Sequence, residues 1–168
     1  LESTDIAHPA IEALFTIDEE TGMTGALGLK PGQLTGEILL NLDTEEDDEI
    51  DIGCAGGIDV TASANYTVTS TSSNFVKIEI KGLQGGHSGM DIHKGFGNSN
   101  VILGRLLYAG ISNEIQLVSI DGGGLRNAIP REAHALVAVN NASEYLQKLE
   151  TLKSDILEEF ASVEKDLE

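Results

Sequence analysis

Glu19 and Glu20 stand side by side where an apolar run ends, and Asp43 closes a second run, Ile38 to Leu42. Crowded carboxylates repel one another unless a proton or a cation intervenes. Side chains of adjacent residues diverge on an extended backbone, so one acid can hold a metal while its neighbour stays free as a base. Hydrolytic metal chemistry needs that division, because the ion acidifies a water and a carboxylate takes its proton. Asp43 would supply a further metal contact from a neighbouring strand. Two acidic turns in an acidic protein fit the same residues, with Glu20 favouring the start of a short helix. Spacing leaves both readings open.

A second cluster is Gly85-Gly86-His87-Ser88-Gly89-Met90-Asp91-Ile92-His93. Glycines flanking His87 permit turns closed to other residues and expose the imidazole. No Gly-Lys-Ser/Thr follows, so the loop is not a phosphate cradle. Met90 occupies the closing glycine position of a nucleophile elbow, which rules Ser88 out of that role. His87, Asp91 and His93 could bind a metal together, but a presented histidine that donates a hydrogen bond or positive charge to a substrate is the better reading. A third cluster, Gly122-Gly123-Gly124-Leu125-Arg126-Asn127, sets an Arg and an Asn beside flexible glycines. Both suit gripping a carboxylate or an amide, and both suit a plain hairpin loop. The acidic run after Asp43 fails as an EF-hand: Asp48 stands at the sixth position and Cys54 at the twelfth. It reads as a solvated loop.

The elements that must position these groups fall into two sets. Ile11, Leu14, Phe15 and Ile17, and then Ile38 to Leu42, read as buried strands of a parallel sheet, with the acids at their carboxyl ends. A short helix or turn lies between them and Lys30-Pro31-Gly32 ends it. From Ile58 the period changes to two: Ile58, Val60, Ala62, Ala64, Tyr66 and Val68, then Val76, Ile78 and Ile80, alternate with small or polar residues. A helix follows over about 98–112, with Val101, Ile102, Leu106 and Ile111 toward one side. Strands are expected near 114–120 and 133–139. The last element is a helix with Asn141 and Glu144 as a capping box and an apolar stripe from Leu146 through Leu149, Leu152, Ile156, Phe160 and Val163 to Leu167. This order describes an α+β two-layer sandwich, a four-stranded antiparallel sheet with two helices on one face, over 58–168. A partial α/β segment, 1–57, precedes it.

Composition narrows the function. The 168 residues hold 28 Asp plus Glu against 10 Lys plus Arg, for a formal charge of -18. A nucleic-acid partner needs a basic footprint, and an anionic membrane surface is disfavoured for the same reason. No apolar run approaches the ~20 residues of a membrane span, and no signal-peptide pattern opens the chain. One cysteine, Cys54, excludes an internal disulfide and fits a reducing cytoplasm, where it reads as a free buried thiol.

Taken together, five segments resemble the dinuclear zinc exopeptidase and deacylase family, in particular its aminoacyl-histidine dipeptidase branch. They are Asp18-Glu19-Glu20-Thr21-Gly22-Met23, Leu42-Asp43-Thr44-Glu45-Glu46, Gly53-Cys54-Ala55-Gly56-Gly57, Gly82 to Gly89 with Asp91-Ile92-His93, and Leu125 to Glu132. The resemblance implies Glu19 as general base and Glu20 and Asp43 as ligands of two Zn2+ ions. It implies His87 as the lid histidine that stabilises the tetrahedral intermediate, often across a dimer interface. Asn127 would hold the dipeptide substrate, with Arg126 assisting, and the lid would form a homodimer. Family members also carry a His-x-Asp segment and a bridging Asp upstream, and a His far downstream. Only His8, His87, His93 and His134 occur here. The expectation is an internal piece of a longer, cytoplasmic Xaa-His dipeptidase, inactive by itself. A tripeptidase, an N-acyl amino-acid deacylase and a non-catalytic dimerisation module are the alternatives.

Overall fold

The computed structural model describes residues 3–43, 48–53, 56–58, 60–71 and 73–168. Thr44 to Asp47 of the acidic run, and Cys54 with Ala55, lie outside the described residues. The chain divides into two compact units between Ala62 and Ser63.

In the first unit the two apolar runs do not form strands. Phe15 is 90% exposed and Leu42 87%. A strand exists only as part of a ladder, since its amides and carbonyls need a neighbour. Among the described residues of this unit, no second strand lies beside either run. Composition marked the runs as buried strands without supplying the partners that burial needs. The unit is tied instead by Glu12, whose Oε2 accepts the amides of Thr35 and Gly36 at 2.8 and 2.7 Å and the Thr35 hydroxyl at 3.1 Å. Those donors, the Thr35 amide first, hold the Glu12 carboxyl below its ordinary range. Helix α1, Thr24–Leu27, is a single turn.

The second unit is the α+β sandwich. Strands β1 (Asn74–Ile80), β3 (Gln116–Gly122) and β5 (Ala133–Val139) form an antiparallel sheet in the order β1-β5-β3. Register runs Asn74↔Val139 to Ile80↔Ala133 on one side of β5 and Gln116↔Ala138 to Gly122↔Ala133 on the other, with a bulge between Leu117 and Ser119. A second ribbon pairs β2 (Gly86–His87) with β4 (Ala128–Ile129). Val76, Ile78 and Ile80 bury one face of β1, while Lys77 and Glu79 point outward, as the alternation predicts. The stretch 58–68 joins no ladder among the described residues, so the sheet has three strands there and not the expected four. Tyr66 is 86% exposed and Val68 93%. Alternation fixes which face a strand would bury and says nothing of its neighbour.

Helices α2 (Ser99–Ala109) and α3 (Ala142–Phe160) cover the same face. Asn98 caps α2 by accepting the amides of Asn100 and Val101 at 3.0 and 3.2 Å. Asn141 caps α3, accepting the Glu144 amide at 3.2 Å, and its side-chain amide donates back to the Glu144 carboxylate at 3.3 Å. The core gathers Ile102, Leu103 and Leu106 of α2, Tyr145 and Ile156 of α3, and the inner face of β1 and β5. The buried stripe of α2 differs from expectation: Val101 is 60% exposed, and the helix ends at Ala109, leaving Ile111 beyond it and 62% exposed. On α3, Tyr145 is fully buried and Leu146 lies half out. Its hydroxyl donates to the Leu106 carbonyl at 3.0 Å, joining the two helices inside the core.

The C-terminal residue returns to the sheet. Lys81 and Glu168 exchange backbone hydrogen bonds of 3.2 and 3.0 Å just beyond β1, and their side chains pair at 3.1 Å. This approach requires glycine at 82, where φ is +81° and a Cβ would fall 1.8 Å from the Asp166 carbonyl oxygen.

Candidate functional site

The acid pair sits on a turn built by Asp18. Its backbone is left-handed, φ 62°, a conformation Asp tolerates better than most residues. Its carbonyl accepts the Gly22 amide at 3.2 Å and the Met23 amide, closing the turn. Its carboxylate accepts the hydroxyls of Thr21 and Thr24. Those two bonds, Thr21 first, hold the Asp18 carboxyl below its ordinary range. Glu19 and Glu20 therefore lie exposed in a turn that a neighbouring carboxylate fixes. Glu20 does not cap α1, whose N-cap is Met23 with no side-chain bond. The spacing Asp-x-x-Thr was the available signal for Asp18.

Asp43 is exposed, and its amide donates to the Asn41 side-chain oxygen at 3.1 Å. Among the described residues, no three His, Cys, Asp or Glu side chains gather so as to hold a metal ion. Glu19, Glu20 and Asp43 have the oxygen chemistry of a zinc site, yet the described residues assemble no coordination sphere around them. His87, Asp91 and His93 form no metal cluster either; Asp91 is engaged otherwise.

The second unit assembles its own polar site on the β2–β4 ribbon. His87 pairs with Ala128, and the Ser88 amide donates to the Asn127 carbonyl at 2.8 Å. Residues 40 positions apart in the chain, His87 and Asn127, are thus brought to one ribbon, with Arg126 next to Asn127; all three are exposed. Asp91 shapes the turn around His87. Its Oδ2 accepts the His87 amide at 2.7 Å, its own amide donates to the His87 carbonyl at 3.0 Å, and Lys94 pairs with Oδ1 at 2.7 Å. Lys94 first, and the His87 amide next, hold the Asp91 carboxyl below its ordinary range.

The imidazole itself is oriented. His87 Nδ1 accepts the amides of Gly89 and Met90 at 3.1 and 3.2 Å. An acceptor Nδ1 carries no proton, so Nε2 bears the N–H and becomes a hydrogen-bond donor. Glycine on both sides of His87, the feature legible in sequence, gave presentation. The tautomer came from the turn's amides, which no residue type announces.

Glu164 was not anticipated. It is 5% exposed, and each of its oxygens accepts a backbone amide: Oε2 from Gln84 at 2.8 Å and Oε1 from Gly97 at 2.8 Å. The sequence held a signal, since Glu164 follows Phe160 by four residues and Ile156 by eight, in phase with the apolar stripe.

Comparison with known proteins places these features in context. Residues 78–168 match the family described as the peptidase dimerisation domain. A curated relative from Escherichia coli strain K12, a cytosol non-specific dipeptidase, is 45% identical over 99% of this chain and 36% of its own length. The crystal structure of aminoacylhistidine dipeptidase from Vibrio alginolyticus matches with a TM-score of 0.68 at 41% identity, over 91% of this chain and 32% of that one. The chain spans about a third of the length of the relatives it matches.

Proposed function

The chain belongs to the peptidase dimerisation-domain family, and we propose that it is an internal part of a zinc-dependent dipeptidase acting on Xaa-His dipeptides in the cytoplasm. The observation that carries this reading is His87: an exposed imidazole whose Nδ1 accepts two amides, which leaves Nε2 as the donor. Such a donor can stabilise the oxyanion that forms when a peptide carbonyl becomes tetrahedral. Asn127, on the paired strand end, offers a second polar group to the substrate, with Arg126 assisting.

In the first unit, Glu19 is assigned as the base and Glu20 and Asp43 as metal ligands. When bound, Zn2+ supplies an acidified water and polarises the carbonyl. Two carboxylates do not make a zinc coordination sphere, so the remaining ligands would come from the longer protein. The isolated chain is accordingly expected to be inactive. The reading as a dipeptidase is supported by two relatives bearing that description. For a cytoplasmic location, support comes from the relative described as cytosolic.

Homodimerisation through the lid is the second part of the proposal. Val101 and Tyr108 on α2, and Ile111 just beyond its end, are 60%, 76% and 62% exposed, and β3 is an edge strand exposed along its whole length. An apolar helix face beside an unshared sheet edge suits a two-fold contact with a second copy.

The test is dipeptide hydrolysis by the full-length protein. His87→Ala should lower turnover by about 10²–10³-fold, the usual effect of removing one oxyanion donor. Glu19→Gln should remove most activity. Undiminished rates would reject the assignments, and a substrate panel of tripeptides and N-acyl amino acids separates the related activities.

A further inference from the structure

The loop that presents His87 has two ends, and one buried carboxylate holds both. Glu164 accepts the Gln84 amide at one end and the Gly97 amide at the other. Neighbouring contacts reinforce the first end. The Gln84 side-chain amide donates to the Val163 carbonyl, and Arg131 Nε donates to the Leu83 carbonyl at 3.2 Å. Beyond Gln84 the chain enters β2 within two residues, and beyond Gly97 it enters the capped start of α2. Between these anchors the loop is held by Asp91 and Lys94 and by the β2–β4 ribbon, where His87 pairs with Ala128 and the Ser88 amide donates to the Asn127 carbonyl at 2.8 Å. An ionised carboxylate suits this role because it accepts on both oxygens, and charged acceptors make the stronger bonds.

We propose that Glu164 is a positioning residue for His87, closing the 84–97 loop at its base so that the turn keeps Nδ1 on its two amides and the proton on Nε2. This rests on the reading of His87 as the functional donor. A glutamine at 164 would keep the size but set an NH2 against one of the two backbone amides. One bond is then lost and two donors face each other. The loop end so released gains freedom, and the bonds to Nδ1 open more often.

The first experiment uses the 168-residue chain labelled at histidine nitrogen. In the wild type, His87 should show an unprotonated Nδ1 and a protonated Nε2. In Glu164→Gln the two nitrogen signals should move toward an average of tautomers, and exchange of the Gly89 and Met90 amides should quicken about tenfold or more. A lowered melting temperature with unchanged His87 signals and unchanged exchange would make Glu164 a fold staple only and overturn the proposal. Should Glu164→Gln not fold, Glu164→Asp, which is one methylene shorter and keeps the charge, is read by the same signals.

The second experiment measures turnover of the full-length protein with Glu164→Gln alone, His87→Ala alone, and both. Action through His87 predicts a loss of kcat with KM little changed in the first, and no further loss when added to His87→Ala. An equal loss in both backgrounds overturns it. A fully active His87→Ala would instead refute the role given to His87, which is a separate failure.

Discussion

Tyr145→Phe removes a single oxygen, and the structure sets what that oxygen is worth. Tyr145 is fully buried, and its hydroxyl donates to the Leu106 carbonyl at 3.0 Å in the last turn of α2. That carbonyl would ordinarily take the amide four residues on, but the Gly110 amide donates to Leu107 at 3.0 Å instead. Removing the hydroxyl takes this donor from a carbonyl of a buried residue, at a cost of about 2 kcal/mol within a range of roughly 1–3. The unit Ser63–Glu168 has 106 residues. At roughly 2.1 cal/mol/K per residue its unfolding entropy is about 0.2 kcal/mol/K, so the midpoint should fall by ~9 °C.

Calorimetry of the chain reads this directly, with Tyr66→Phe as the control because Tyr66 is 86% exposed. Alkali gives a second reading. Burial raises the Tyr145 phenol above its ordinary value. A raised native value means that its contribution is complete below the unfolded value near pH 10 and is lost as pH rises through the native one. Tyr145→Phe should lack that alkaline loss. A midpoint within ~2 °C of wild type would mean that the Leu106 carbonyl finds another donor, and the reasoning about the helix junction would be wrong.

Three further predictions address the site and its scaffold. Asp91→Ala should leave the fold intact but speed exchange of the His87 amide by about tenfold or more, since that amide loses its acceptor; in the wild type the Asp91 tie should be complete above the ordinary carboxylate range and be lost as pH falls through its depressed value, read from the His87 amide shift. Gly82→Ala should cost at least about 3 kcal/mol, because φ of +81° is strained for alanine and its Cβ would collide with the Asp166 carbonyl; urea unfolding measures this, and an unchanged midpoint refutes it. Tyr108→Asp combined with Ile111→Asp should convert a dimer to a monomer in sedimentation at about 0.15 M salt, where surface repulsion between acidic chains is screened; an unchanged mass would move the interface elsewhere.

Some of this protein was readable from residue types and their spacing. The buried face of β1 followed from alternation, α3 from its stripe and cap, and the two presented clusters from glycine and Asn-Arg placement; the strand expected near 133–139 is β5. These are local properties, fixed by periodicity and backbone freedom within a few residues. Pairing was not readable. Among the described residues, the runs 11–17 and 38–42 have the composition of buried strands and none of the neighbours, and 58–68 alternates without joining the sheet. Folding alone placed Tyr145 against Leu106, turned Val101 and Ile111 outward, and set two amides on Nδ1 of His87. It also brought Glu164 to both ends of a loop 67 and 80 residues away in sequence. Each of these depends on which distant backbone group arrives beside a given side chain, and that is decided by the packed chain as a whole.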